Sequence, residues 1–161
     1  MGLNIIGIAE QRVEKAPNKI VTLGLGSCIG LVLYDSVYKI GGMVHIMLPK
    51  APKKDGAVNK FKFADTAVHE LISLMINAGA KSHNLKAKMA GGAHMFKTTS
   101  NLDMLNVGDR NIEMCRYMLK KQSIPIVSED VGGDSGRSIE FCCESNMLQI
   151  RTVSPASVRK I

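Results

Sequence analysis

Ile20-Val21-Thr22-Leu23-Gly24-Leu25-Gly26-Ser27-Cys28-Ile29-Gly30-Leu31-Val32-Leu33-Tyr34, followed closely by Gly42-Met43-Val44-His45-Ile46-Met47-Leu48-Pro49, sets the architecture of this chain. Residues 20–25 alternate β-branched and apolar side chains and predict a strand, which the glycine-serine stretch interrupts. Residues 29–34 predict a second strand and residues 43–48 a third. A short turn around Tyr34-Asp35-Ser36 joins those two as a hairpin, which brings His45 alongside Cys28 through local chain geometry alone.

Outward from this segment, apolar residues at Ala64, Ala67, Val68, Leu71, Ile72, Leu74, Met75 and Ile76 recur at helical spacing, and Gly79 stops the run. The pattern predicts a helix over 63–78. Residues 85–90 read as a strand running into Gly91-Gly92-Ala93, and residues 106–122 as a second helix with Met114, Cys115, Met118 and Leu119 on its inner face. Residues 125–131, 138–143 and 147–153 are strand-like, the last two joined through Glu144-Ser145-Asn146 as a hairpin. Strands in hairpins at both ends, with two helices between, predict an α+β fold with a largely antiparallel β core and two main helices packed against it.

The chain of 161 residues is long enough for one well-packed domain and short for two, so a single domain over residues 1–161 is expected. No apolar run is long enough to cross a bilayer, and Met1-Gly2-Leu3-Asn4-Ile5-Ile6-Gly7 has neither the basic start nor the cleavage site of a signal peptide. The expectation is a cytoplasmic protein that is not inserted in a membrane. The net charge of +7 favours an anionic partner, yet aromatic residues are only 4% with no Trp, and no stacking platform or recognition helix is visible. Nucleic acid is therefore not the expected partner, and an acidic protein surface fits as well.

Cysteines at 28, 115, 142 and 143 show no CxxC spacing, and the adjacent pair points to opposite faces of any strand that contains it. Cys115, Cys142 and Cys143 read as small buried hydrophobes. Cys28 differs, because glycine and serine precede it and a histidine lies on the next strand. A thiolate is the attacking form of cysteine, and an imidazole within reach takes the proton, so Cys28 and His45 have the makings of a nucleophile with its base. Spacing alone leaves a core or turn cysteine open beside that reading. Backbone N–H groups of the Gly26-Ser27-Cys28 turn are candidates for an oxyanion hole.

Other constellations are weaker. His94 with His45 and a cysteine lacks the short ligand spacings of zinc sites, so no metal is expected, and His69 and His83 read as surface residues. Gly91-Gly92 and Gly132-Gly133 match neither phosphate-loop pattern and read as turns packed near the Cys28 loop. Asp130 to Arg137 reads as a polar turn with Arg137 bonded to carbonyls or a carboxylate. Lys50, Lys53, Lys54, Lys60 and Lys62 form a basic stretch, either a solvated loop or a docking lip.

Taken in order, Thr-Leu-Gly-Leu-Gly-Ser-Cys at 22–28, Gly-Met-Val-His-Ile-Met-Leu-Pro at 42–49, Phe-Ala-Asp at 63–65, Gly-Gly-Ala-His-Met-Phe at 91–96, Val-Gly-Asp-Arg-Asn at 107–111 and Gly-Gly-x-x-Gly-Arg at 132–137 resemble the CheD family. These are the chemoreceptor glutamine deamidases of bacterial and archaeal chemotaxis. The resemblance covers nearly the whole chain and implies Cys28 as nucleophile, His45 as base and Thr22 as the residue that orients the histidine, with no cofactor. It implies a protein-glutamine deamidase that converts glutamines of methyl-accepting chemotaxis receptors to glutamate through a cysteine thioester, in adaptation of chemotaxis signalling. It also implies a second partner, the CheC phosphatase, and a layered α/β sandwich similar to the deamidase domain of the cytotoxic necrotizing factors.

Two alternatives stay open beside this: a non-catalytic module that binds receptors or CheC, and a glutamyl methyl-ester hydrolase using the same three residues. Met95, Phe96, Lys53 and Lys54 are the candidate partner-binding residues, as an exposed-looking Met-Phe pair and a basic lip. An activated Cys28 is expected to be alkylated at low pH ahead of the other three cysteines.

Overall fold

Side chains alternate across a strand, so a strand buried on both faces has to supply two different cores. Residues Ile29 to Asp35 and Ile40 to Ile46 are buried throughout, and two hydrophobic clusters divide their side chains between them. The structure, a computed structural model, describes residues 2–53, 58–95 and 106–161. Its strands are β1 (Leu3–Ile6), β2 (Gln11–Lys15), β3 (Lys19–Leu25), β4 (Ile29–Asp35), β5 (Ile40–Ile46), β6 (Leu85–Gly91), β7 (Ile126–Val131), β8 (Arg137–Cys142), β9 (Leu148–Val153) and β10 (Ala156–Lys160). Its α-helices are α1 (Ala64–Asn77) and α2 (Val107–Lys121).

The strands form two five-stranded sheets, β1-β3-β8-β9-β10 and β2-β5-β4-β6-β7. Among the described residues β1 with β3 and β6 with β7 pair in parallel, and the other strand pairings are antiparallel. The helices pack on the outer face of the second sheet, so the layers run sheet, sheet, helices. The α+β fold with a largely antiparallel core and two helices is what the sequence predicts. Strands β1, β2 and β10 were not expected: none has the long alternating apolar run of a central strand, and all five residues of β10 are exposed.

Ile29, Leu31 and Leu33 of β4 with Val44 and Ile46 of β5 face the helices, meeting Ala67, Val68, Leu71 and Met75 of α1 and Ile112, Cys115 and Leu119 of α2. That spacing along α1 is one apolar stripe, and Gly79 (φ +110°) ends the helix as the sequence predicts. Val32, Tyr34 and Met43 face the opposite sheet and pack with Ile20, Leu25, Ile139, Phe141, Leu148 and Ile150. Here the sheets approach closely: a Cβ on Gly30 would overlap the Ile139 side chain. No described helix is long and apolar enough to cross a membrane.

Candidate active site

Thr22 and His45 meet in the gap between the sheets, on the side against which Cys28 packs. The hairpin register pairs Gly30 with His45, so both positions share a face, and Cys28, two residues before Gly30, packs against the same inter-sheet cluster. The hairpin of β4 and β5 forms as the sequence predicts and puts His45 on the inter-sheet side. Thr22 comes from the other sheet: it follows the inward-facing Ile20 by two positions on β3 and points across the gap. Thr22 Oγ1 lies 2.7 Å from His45 Nδ1 and 3.0 Å from the Ile6 carbonyl, all buried.

This contact pair fixes the imidazole tautomer. A carbonyl only accepts, so the Thr22 hydroxyl donates to Ile6, and its oxygen is left to accept the Nδ1–H of His45. The proton then sits on Nδ1, and Nε2 carries a free lone pair. That atom is buried with no partner among the described residues, the state required of a base awaiting a proton. Burial pushes the His45 pKa down and the Cys28 thiol up. Both shifts favour a neutral thiol beside a neutral imidazole. Among the described residues no cation contributes to the Cys28 shift, so its direction runs against the expectation that Cys28 is alkylated at low pH ahead of the other cysteines.

The Gly26-Ser27-Cys28 loop is held by its carbonyls. Gly26 O accepts from Ala93 N at 2.9 Å, Cys28 O from Gly92 N at 2.9 Å, and Ser27 O from the side chain of Asn111 at 2.9 Å. Gly91, with φ +114°, lies flat against Cys28, and a Cβ there would overlap the Cys28 carbonyl oxygen. Arg137 braces Gly91 in turn, donating to its carbonyl at 2.9 Å and pairing with Asp130 at 3.1 Å. The two di-glycines do lie beside the Cys28 loop: Gly132 N donates to Gly91 O.

Asn111 went unassigned in the sequence although its motif was visible. The signal was a polar residue at helical spacing within the stripe Gly108, Ile112, Cys115 and Leu119, where an apolar side chain belongs.

The remaining candidates fall around this centre. Met95 is half-exposed, and its side chain covers Gly26; with Gly24, Gly136, Arg151 and Val153 it lines a cleft of about 530 Å³. Lys53 is exposed, and Phe96 and Lys54 lie outside the described residues. Among the others of the basic stretch, Lys60 pairs with Glu70 of α1 at 3.4 Å. His69 and His83 are exposed, and His94 pairs with Asp109 at 2.7 Å. Among the described residues no cluster of three or more metal-ligating side chains occurs.

Cys115 and Cys143 are buried as expected, and burial pushes their thiols up to about 12 and about 11. Cys142 departs from the expectation of a buried hydrophobe, because it points to the open face of its strand and is only half-buried. Burial raises its thiol, but hydrogen bonds from Ser145 and Glu144 and the nearby Lys19 charge outweigh that and hold it below the ordinary value.

Comparison with known proteins follows the same lines. The chain is 52% identical to the chemoreceptor glutamine deamidase CheD of Halalkalibacterium halodurans, over 92% of each protein. It is 48% identical to the protein of that name from Bacillus subtilis, over 92% of this chain and 90% of the relative. Among solved structures, a DUF152-family protein of Neisseria meningitidis, NMB0706, matches with a TM-score of 0.46 at 8% identity, over 81% of this chain and 63% of that one. At that level the likeness carries no argument. The CheD family profile, described as CheD chemotactic sensory transduction, matches residues 47–152. With that match and relatives about half identical along nearly their full length, this chain belongs to the CheD family.

Proposed function

We propose that the protein is a chemoreceptor glutamine deamidase in which Cys28 is the nucleophile, His45 the base and Thr22 the residue that holds the base. The observation that carries this reading is the relay from the Ile6 carbonyl through Thr22 to His45 Nδ1, which leaves Nε2 without a partner among the described residues on the face that also carries Cys28. Support for the substrate comes from the relatives' names. The whole chain, residues 1–161, acts as one unit in the cytoplasm.

In this reaction Nε2 takes the thiol proton as Sγ attacks the Cδ carbon of a receptor glutamine. The carbonyl oxygen gains the negative charge and is received by N–H groups of the Gly26-Ser27-Cys28 turn. Nε2 then gives its proton to the amide nitrogen, the C–N bond breaks, ammonia leaves and a thioester remains. A water molecule, deprotonated by Nε2, attacks the thioester carbon. The C–S bond breaks, Sγ regains the proton, and glutamate is released. Neutral partners suffice for the base because Thr22 fixes the ring without supplying charge.

Met95, Phe96, Lys53 and Lys54 are proposed to contact the receptor or a CheC phosphatase, Met95 because it stands half-exposed between Gly26 and the adjoining cleft. The test of the function is intact-mass analysis of a receptor cytoplasmic fragment after incubation with wild-type protein and with Cys28→Ala. Conversion of glutamine to glutamate by the wild type alone supports the deamidase. A fragment unchanged by both, on correctly folded receptor, points instead to a binding module. Replacing the fragment with its methylated form separates amide from methyl-ester hydrolysis.

A further inference from the structure

Asn111 sits in the second turn of α2, completely buried, and its single amide group reaches two separate segments of the site. Its Nδ2 donates to Ser27 O at 2.9 Å and to Met47 O at 3.0 Å. Ser27 immediately precedes Cys28, and Met47 immediately follows β5, two residues beyond His45. One NH₂ group thus ties the end of the loop that bears the thiol to the end of the strand that bears the imidazole. The amide orientation is forced, since the reverse would set Oδ1 against two carbonyls. Oδ1 itself is buried without a partner among the described residues, so only the donor half of this side chain is used.

The consequence follows from peptide geometry. In a trans peptide the C=O of one residue and the N–H of the next point in opposite directions. Holding Ser27 O on Asn111 therefore aims the Cys28 N–H directly away from α2. The companion bond from Ala93 N to Gly26 O aims the Ser27 N–H in the same manner. The helix is itself pressed onto this layer, because a Cβ on Gly108 would stand 2.6 Å from the Gly92 carbonyl oxygen. Helix α2, the Gly91–Ala93 backbone and the nucleophile loop are consequently stacked with no room for adjustment.

We infer that Asn111 is a positioning residue for the reaction: it sets the spacing between Cys28 and His45 and aims the Cys28 N–H at the oxyanion. This rests on the reading of Cys28 as nucleophile and His45 as base. Asn111 touches no reacting atom in this role. A residue that only fastened α2 to the sheet would change stability and leave the chemical step alone.

The experiment compares Asn111→Ala, Asn111→Ser and Leu119→Ala in steady-state deamidation of a receptor fragment, with thermal unfolding of each. Leu119 is buried on the same helix two turns further on and faces only the apolar core. The expected result for Asn111→Ala is a kcat lower by roughly 10- to 100-fold, as for a misplacement near 1 Å, with KM little changed. Asn111→Ser, which keeps one donor, falls between, and it carries the comparison if the alanine variant does not fold. Leu119→Ala loses at least as much thermal stability and keeps kcat. The proposal is overturned if the kcat of the Asn111 variants merely follows their loss of stability as in Leu119→Ala, or if KM alone changes. Cys28→Ala in the same assay separates the two levels: full activity in that variant removes the nucleophile reading and this proposal with it, whereas inactivity beside a fully active Asn111→Ala overturns this proposal alone.

Discussion

The two faces of the sheet β2-β5-β4-β6-β7 are built from the same strands yet differ in kind. The helix side is filled with large aliphatic groups, Ile29, Leu31, Leu33, Val44 and Ile46 against Leu71, Met75 and Leu119. The inter-sheet side admits glycine at position 30, and there the Ile6 carbonyl, Thr22 and His45 replace apolar contacts with a directed hydrogen-bond relay, on the side against which Cys28 packs. A buried polar group is tolerated only with its partners in place, so the relay has to be built where a second sheet supplies a carbonyl and a hydroxyl. The difference teaches that one face stabilises the scaffold and the other uses that stability to hold an imidazole whose Nε2 has no partner among the described residues.

Breaking the two faces separately is the sharpest test. Cys28→Ala should abolish deamidation and leave the unfolding midpoint nearly unmoved, since the side chain is only half-buried. Leu71→Ala on the helix side should do the reverse, costing about 2–5 kcal/mol of stability with kcat retained wherever the protein is folded. Denaturant unfolding with parallel activity assays reads both, and a large stability loss in Cys28→Ala would show the comparison to be drawn wrongly.

Gly91→Ala joins the two effects. The new Cβ meets the Cys28 carbonyl and forces a left-handed backbone on alanine, so stability should fall by about 1–3 kcal/mol. Activity should fall with it, unlike at Gly79, where an added Cβ meets nothing nearer than 3.6 Å.

Thr22→Val keeps the shape and removes the acceptor of the Nδ1–H. The imidazole then loses the contact that selects its tautomer, and kcat should fall by roughly a hundredfold, less than in Cys28→Ala. Unchanged kcat in Thr22→Val would show that packing alone orients the ring.

The smallest effects concern protons. His45 titrates lower folded than its ordinary 6.5, so stability is full above 6.5 and drains away as pH falls through the folded value, where the unfolded chain already binds the proton. The unfolding midpoint should therefore decline on the acid side, and His45→Gln should flatten part of that decline. For the thiols the sign is reversed between two sites: Cys142, held below its ordinary value, should be alkylated at neutral pH ahead of Cys28 in the absence of substrate. Mass mapping of the alkylated cysteines decides the order.

How much was legible follows from the range of each interaction. The Cys28 and His45 segments belong to neighbouring strands of one hairpin, a relation of local spacing, and the strand and helix patterns with Gly79 at a helix end are equally local. The role proposed for Thr22 reached the sequence only through family resemblance, because its acceptor and its histidine come from β1 and from the opposite sheet. Arg137 was legible as a residue bonded to carbonyls or a carboxylate, but that the carbonyl is Gly91's required the β7–β8 turn to be placed. Asn111, the inward face of the whole site and the directions in which burial shifts its thiol and imidazole were decided by tertiary structure alone. They depend on burial and on contacts between residues far apart in the chain, and hydrophobic periodicity carries no record of which distant carbonyl a buried amide will meet.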